Sequence, residues 1–257
     1  MNAILKSPLT GCKPPKSLLR QVGRAIADYR MINAGDRVLL GLSGGKDSLS
    51  LLHILLHLQR HAPLRFDVGV ATVDPQVEGF DLEPLRAYLA ALDVPYFLQA
   101  EPIMARAQAH MGNPSYCAFC SRMKRGVLYA TARREGYNVL ALAHHLDDLA
   151  ETFLMSAFHG GTLRTMRANY LNDAGDVRVI RPLVYARERQ TADFAHSAGL
   201  PVIRDNCPAC FRMPTQRWHM KQLLATQEQS NKYLFKSLLS TLRPLLGDTV
   251  LSGPPDA

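Results

Sequence analysis

At 257 residues the chain suits one well-buried α/β domain with short additions, not two large domains. With 47% hydrophobic and 20% charged residues it is neither disordered nor fibrous, and it contains no run of roughly twenty uncharged apolar residues of the kind that spans a membrane. Thirty Lys and Arg against 22 Asp and Glu leave a net charge of +8, which suits a polyanionic partner such as nucleic acid without establishing one.

The first residues carry Lys6, Lys13, Lys16 and Arg20 but no apolar stretch before a small-residue cleavage site, so they do not read as a secretory signal, and the expected compartment is the cytoplasm. Residues 1 to 35 read as a basic helical segment, with Leu18, Leu19, Val22 and Ile26 at helical spacing and Gly35-Asp36 as its stop. Strands are then predicted at 37–42, 66–73, 95–98, 138–142, 177–180 and 201–204, and helices at 47–58, 82–92, 121–134, 147–158 and 187–198. Strands alternating with helices imply βαβ crossovers and a mostly parallel sheet covered on both faces. Residues 36–210 thus form the expected catalytic domain. Residues 211–257 read as one or two closing helices, within 217–245, and a tail.

Between the first strand and the first long helix stands Gly41-Leu42-Ser43-Gly44-Gly45-Lys46-Asp47-Ser48. Glycines let backbone N–H groups converge, the helix N-terminus adds a positive dipole end, and Lys46 adds a full charge, so this is an anion site in a complete structural context. It is not a Walker A loop, since Gly41 and Gly45 enclose only three residues and Asp47 follows the lysine. Nor is there a G-x-G-x-x-G dinucleotide fingerprint. A plain glycine turn capped by Ser43 is the alternative, but such a turn needs neither Lys46 nor Asp47.

The cysteines are Cys12 and two C-x-x-C pairs, Cys117/Cys120 and Cys207/Cys210. In a reducing compartment such pairs read as metal, cluster or redox sites before disulfides. Cys117 and Cys120 open a helix beside Arg122, Lys124 and Arg125, where thiolate is favoured. A structural zinc site, an iron–sulfur cluster and a redox pair all remain open from the residues alone. His144, His145, Asp147 and Asp148 follow an apolar strand and open the next helix, at the sheet edge where α/β folds place ligands. One aspartate is expected to cap the helix and the other to face Mg²⁺-ATP, with Asp148 and His144 the candidates for the nucleotide. Asp74 ends the second strand, where it either contacts the adenosine or simply turns the chain with Pro75. The basic run Arg122, Lys124, Arg125, Arg133 and Arg134 is either a solvated face or, together with the N-terminal segment, a phosphate-binding surface.

The motif S-G-G-x-D-S after the first strand resembles the signature of the PP-loop ATPases, which cleave ATP between the α and β phosphates and hold pyrophosphate in this loop. Over 23–210 the chain further resembles the tRNA 2-thiocytidine synthetases. The likeness rests on Ala25-Ile26-Ala27-Asp28-Tyr29-Arg30-Met31-Ile32, Gly35-Asp36-Arg37, the loop, Cys117-Ala118-Phe119-Cys120-Ser121-Arg122, Arg125-Gly126-Val127-Leu128-Tyr129, Ala143-His144-His145-Leu146-Asp147-Asp148, Gly160-Gly161 and Arg181-Pro182-Leu183. The chain departs from that family's usual pattern at Ala143, at Met166-Arg167-Ala168 and at Phe211-Arg212-Met213.

The resemblance implies an adenine nucleotide alpha hydrolase-like fold. It also implies a [4Fe-4S] cluster held by Cys117, Cys120 and one cysteine of the second pair, Cys207 with Cys210 in reserve, with one iron open to sulfide. ATP and Mg²⁺ would bind through Ser43, Gly44, Gly45, Lys46, Asp47 and Ser48, with Asp74, His144 and Asp148 nearby. The O2 of cytidine 32 in a tRNA would attack the α-phosphate, and sulfide from a cysteine desulfurase would then displace AMP; Lys46, Asp47, Cys117, Cys120 and Cys207 would carry this chemistry, in a homodimer. The rival expectations are a PP-loop ligase with structural zinc, a sulfur-transfer enzyme for another RNA base or a small molecule, and a non-catalytic RNA-binding protein.

Overall fold

A strand buried on both faces needs an uninterrupted apolar run, and the chain supplies these in order. In the computed structural model, which describes residues 12–77, 81–103, 106, 116–203 and 215–247 with the side chains of 116–118 excepted, the run Val38-Leu39-Leu40 is the buried centre of β1 (Arg37–Gly41). Six successive buried residues lie within β2 (Asp67–Asp74). β3 (Tyr96–Ala100), β4 (Val139–Ala141), β5 (Asn169–Leu171) and β6 (Arg178–Ile180) complete a six-stranded sheet in the order β3-β2-β1-β4-β6-β5. All neighbours are parallel except β5, which runs antiparallel to β6.

The helices are α1 (Lys16–Asp28), α2 (Lys46–His61), α3 (Glu83–Leu92), α4 (Tyr116–Arg134), α5 (Leu146–Gly160), α6 (Glu188–Ser197), α7 (Gln216–Ser230) and α8 (Leu234–Leu246). Alternate side chains of β1 separate two cores. Val38 and Leu40 join Leu18 and Val22 of α1, Leu51 and Leu55 of α2 and Leu149 of α5. Leu39 faces the other way, toward Leu128 and Ala132 of α4. α1 and α4 therefore pack against opposite faces of the sheet. A close approach marks the smaller core: a Cβ on Gly69 would collide with the outer end of the Tyr137 ring, so the tyrosine as it packs calls for glycine in β2 there.

Two expectations change. Residues 201–203 are not in a strand; Pro201 has no N–H for a ladder, and the Ile203 amide instead donates to the Gly44 carbonyl at 2.9 Å, laying this segment over the phosphate loop. The edge strand β5 was not foreseen. Among the described residues no helix is long and apolar enough to cross a membrane.

Candidate nucleotide site

The loop leaves β1 at the centre of the sheet and enters α2. Gly44 takes φ +82°, and a Cβ there would lie 3.1 Å from the Ile203 side chain, so both backbone and space call for glycine. Ser48 is buried and donates to the Gly45 carbonyl at 2.9 Å; its oxygen lies 3.1 Å from that of Ser43, which accepts from the Gly45 amide at 3.3 Å. These two hydroxyls brace the turn from inside.

Lys46, in the first turn of α2, reaches across the site. Its Nζ donates to Asp47 Oδ2 and to Glu188 Oε1, both at 3.0 Å, and the other Glu188 oxygen accepts from Lys221 Nζ at 2.6 Å. Burial works against the Lys46 charge, but Asp47 and Glu188 outweigh it and raise the pKa. Burial likewise opposes the Glu188 charge, yet bonds from Lys221 and Lys46 hold its carboxyl down at about 2. The second Asp47 oxygen accepts from the Thr191 hydroxyl. One lysine of the loop is thus tied to α6 and, through Glu188, to α7.

The start of α5 adds a second layer. His145 Nδ1 accepts from the Asp148 amide at 3.3 Å while Asp148 Oδ2 accepts from the His145 amide at 3.0 Å, a reciprocal cap. The remaining ring nitrogen, Nε2, lies 3.8 Å from Asp47 Oδ2. Asp148 Oδ1 accepts from Arg217 at 3.3 Å, and Arg217 also donates to Glu151 at 3.2 Å. Burial, reinforced by Asp148 and opposed by Arg217, pushes the Glu151 carboxyl up to about 7. Asp147 instead serves the next helix: Oδ2 accepts from the Glu188 amide at 2.8 Å, and Arg187 bridges Asp147 to both oxygens of Glu228 at 2.7 and 2.8 Å. Asp148 is therefore the aspartate that caps α5, and Asp147 caps α6.

Of the other candidates, His144 lies at the same sheet edge and accepts from Arg181 Nε at Nδ1, 3.2 Å. Asp74 ends β2, next to β1, and accepts from the Gln76 amide at 2.8 Å in a local turn. Cys117 and Cys120 stand one turn apart on α4, with Cys120 half-buried against the smaller core; Cys207 and Cys210 lie outside the described residues. α4 passes close to the loop strand, since its Leu128 would lie 3.0 Å from a Cβ on Gly41. Glu188, Thr191, Lys221 and Arg217 belong to no motif, and sequence reading missed them; Arg181 alone carried a signal, within Arg181-Pro182-Leu183.

The architecture and loop have counterparts among known proteins. A family model described as a PP-loop domain matches residues 16–223. A tRNA-cytidine(32) 2-sulfurtransferase of Geobacter sulfurreducens is 42% identical over 229 residues, covering 88% of this chain and 89% of that protein. The enzyme of the same name from Geobacter metallireducens is 43% identical over 223 residues, 86% of each chain. Among solved structures, the U34-tRNA thiolase NcsA from Methanococcus maripaludis, determined with its [4Fe-4S] cluster, superposes with a TM-score of 0.74 at 21% identity, covering 90% of this chain and 78% of that one. That likeness is one of fold.

Proposed function

Because the chain belongs to the PP-loop family, and within it to the tRNA-cytidine(32) 2-sulfurtransferases, we propose that it thiolates cytidine 32 of tRNA at the expense of ATP. The observation that carries this reading is the S-G-G-K-D-S loop at the sheet's carboxyl edge, with its lysine held between two carboxylates and ready to exchange one of them for phosphate. ATP binds with its β and γ phosphates against the loop amides and Lys46. As phosphate takes the place of Glu188 on Lys46, Lys221 keeps that carboxylate neutralised, so the exchange strands no charge. Cytidine O2 attacks the α-phosphorus, the bond to pyrophosphate breaks, and Lys46 with the loop amides offsets the charge that develops there. Sulfide then adds at C2, and the C2–O bond breaks with AMP as leaving group.

Mg²⁺ is ordinarily held by one or two carboxylates plus phosphate oxygens, and Asp47 and Asp148, which flank His145 at 3.8 and 3.3 Å, fit that need. Two cysteines at C-x-x-C spacing near the start of a basic helix also fit a cluster's donor set. Cys117, Cys120 and Cys207, with Cys210 in reserve, would hold a [4Fe-4S] cluster, whose chemistry when bound is to supply sulfide. The catalytic unit is residues 36–210; the preceding segment adds α1, and the closing stretch contributes Arg217 and Lys221. Arg122, Lys124 and Arg125 contact tRNA phosphates, a cysteine desulfurase supplies sulfur, and the protein acts in the cytoplasm as a homodimer.

Nucleoside mass spectrometry of tRNA from a deletion strain tests the assignment. Loss of 2-thiocytidine, restored by the wild-type gene and not by Lys46→Ala, is expected. Unchanged 2-thiocytidine would point instead to another base or a small-molecule substrate.

A further inference from the structure

The carboxyl edge of β4 and β6 holds a polar cluster distinct from the lysine network. Arg181, directly after β6, is 3% exposed. It donates from Nε to His144 Nδ1 at 3.2 Å and from one terminal nitrogen to the Arg167 carbonyl at 2.5 Å, and its guanidinium lies 5.3 Å from the centre of the Tyr170 ring. Among the described residues no carboxylate pairs with it. A guanidinium has donors only and keeps its protons at any physiological pH, so the ring nitrogen it faces carries the lone pair. A neutral His144 therefore has its single proton on Nε2, for which the described residues offer no partner.

We propose that Arg181 is the positioning residue that fixes His144 as the Nε2–H tautomer, so that this histidine presents a hydrogen-bond donor, and neither a base nor a metal-binding lone pair, to a phosphate or adenylate oxygen of the bound substrate. Every charged group around the ring favours the neutral form. Burial acts first, then the charges of Arg181, Arg217 of α7 and Arg125 of α4 along with the neighbouring His145, and together they push the imidazolium pKa down to about 3. His145 holds the same tautomer by a different means, its Nδ1 accepting from a backbone amide. Two successive imidazoles thus turn their Nδ1 atoms toward protein donors, and a donor role at this edge matches a reaction in which negative charge builds on oxygen. The tautomer follows from the hydrogen bonds alone; the role toward substrate rests on the adenylating reading above.

The test uses the full chain labelled with ¹⁵N at histidine and followed from about pH 8 to about pH 5, the range in which an ordinary histidine titrates. The His144→Gln spectrum identifies the signal. A neutral Nε2–H pattern that does not move over this range is expected. Arg181→Lys, which keeps a charge but loses the fixed fork, is expected to admit the other tautomer or a measurable titration. An Nδ1–H pattern, or ordinary titration, in the wild-type protein overturns the assignment.

In turnover with ATP and tRNA, His144→Gln keeps a donor near the Nε2 position and is expected within about tenfold of wild type, whereas His144→Leu loses on the order of 10²-fold, in kcat more than in KM. Equal losses in the two variants overturn the donor role. A protein showing the fixed tautomer but inactive on tRNA would fail the thiolation reading while upholding the tautomer; active protein with the other tautomer would do the reverse.

Discussion

The nucleotide edge and the cysteine-bearing helix are both rich in cations, but they handle them differently. Around the phosphate loop four cations have carboxylate partners: Lys46 between Asp47 and Glu188, Lys221 on Glu188, Arg187 between Asp147 and Glu228, Arg217 on Asp148 and Glu151. Along α4, Arg122, Lys124 and Arg125 have no carboxylate partner among the described residues, and the nearby buried Arg181 has none either. Paired charges orient one another and fix a constellation from several helices. Unpaired cations on a helix surface retain the long-range attraction that draws a polyanion.

The largest effect expected from breaking this contrast is on turnover. Lys46→Ala should lower the rate by about 10²- to 10³-fold, and circular dichroism should show the fold retained, because the side chain sits at the rim of the sheet. A rate near wild type would remove Lys46 from the reaction. Next comes Arg187→Ala, which removes the guanidinium bridging Asp147 and Glu228 and leaves Asp147 on the Glu188 amide and Glu228 with only the exposed Arg189. It should lower stability by about 3 kcal/mol in denaturant unfolding, where an ordinary surface change would cost about 0.5 kcal/mol.

Charge reversal of Lys124 and Arg125 together sharpens the other half. Stability should barely change, while tRNA affinity falls and the slope of log affinity against log salt drops by about two. Equal tRNA binding by wild type and variant across a salt series would show that α4 does not meet the RNA. The smallest effect is on pH dependence. His144 and Glu188 both have folded pKa values depressed below 6.5 and 4.5, to about 3 and about 2. Between those limits the unfolded chain binds protons that the folded chain refuses, so their stabilising contribution is present above the unfolded values and is lost as pH falls. Melting temperature should decline as pH drops below about 6.5, and Glu188→Gln should flatten the lower part of the curve.

What could be read in advance depended on how local the determining contacts were. The phosphate loop was legible because strand, glycine turn, lysine and helix are contiguous, and α1 because Leu18 and Val22 repeat at helical spacing. The strand expected at 201–204 failed because an apolar triplet says nothing about its partner, and the Ile203 amide goes to Gly44. β5 has only three residues, too few to show alternation, and exists because Tyr170 pairs with Val179. The ligands of Lys46 were the least legible part. Glu188 is 142 residues away, and nothing in its neighbourhood marks it until the fold sets α6 beside α2.

The fate of ATP tests the central claim most directly. Anaerobic protein supplied with tRNA, sulfide and ATP labelled in the adenine should release one AMP, with pyrophosphate, for each 2-thiocytidine formed. Formation of 2-thiocytidine accompanied by ADP and inorganic phosphate, or without nucleotide cleavage, would contradict the account.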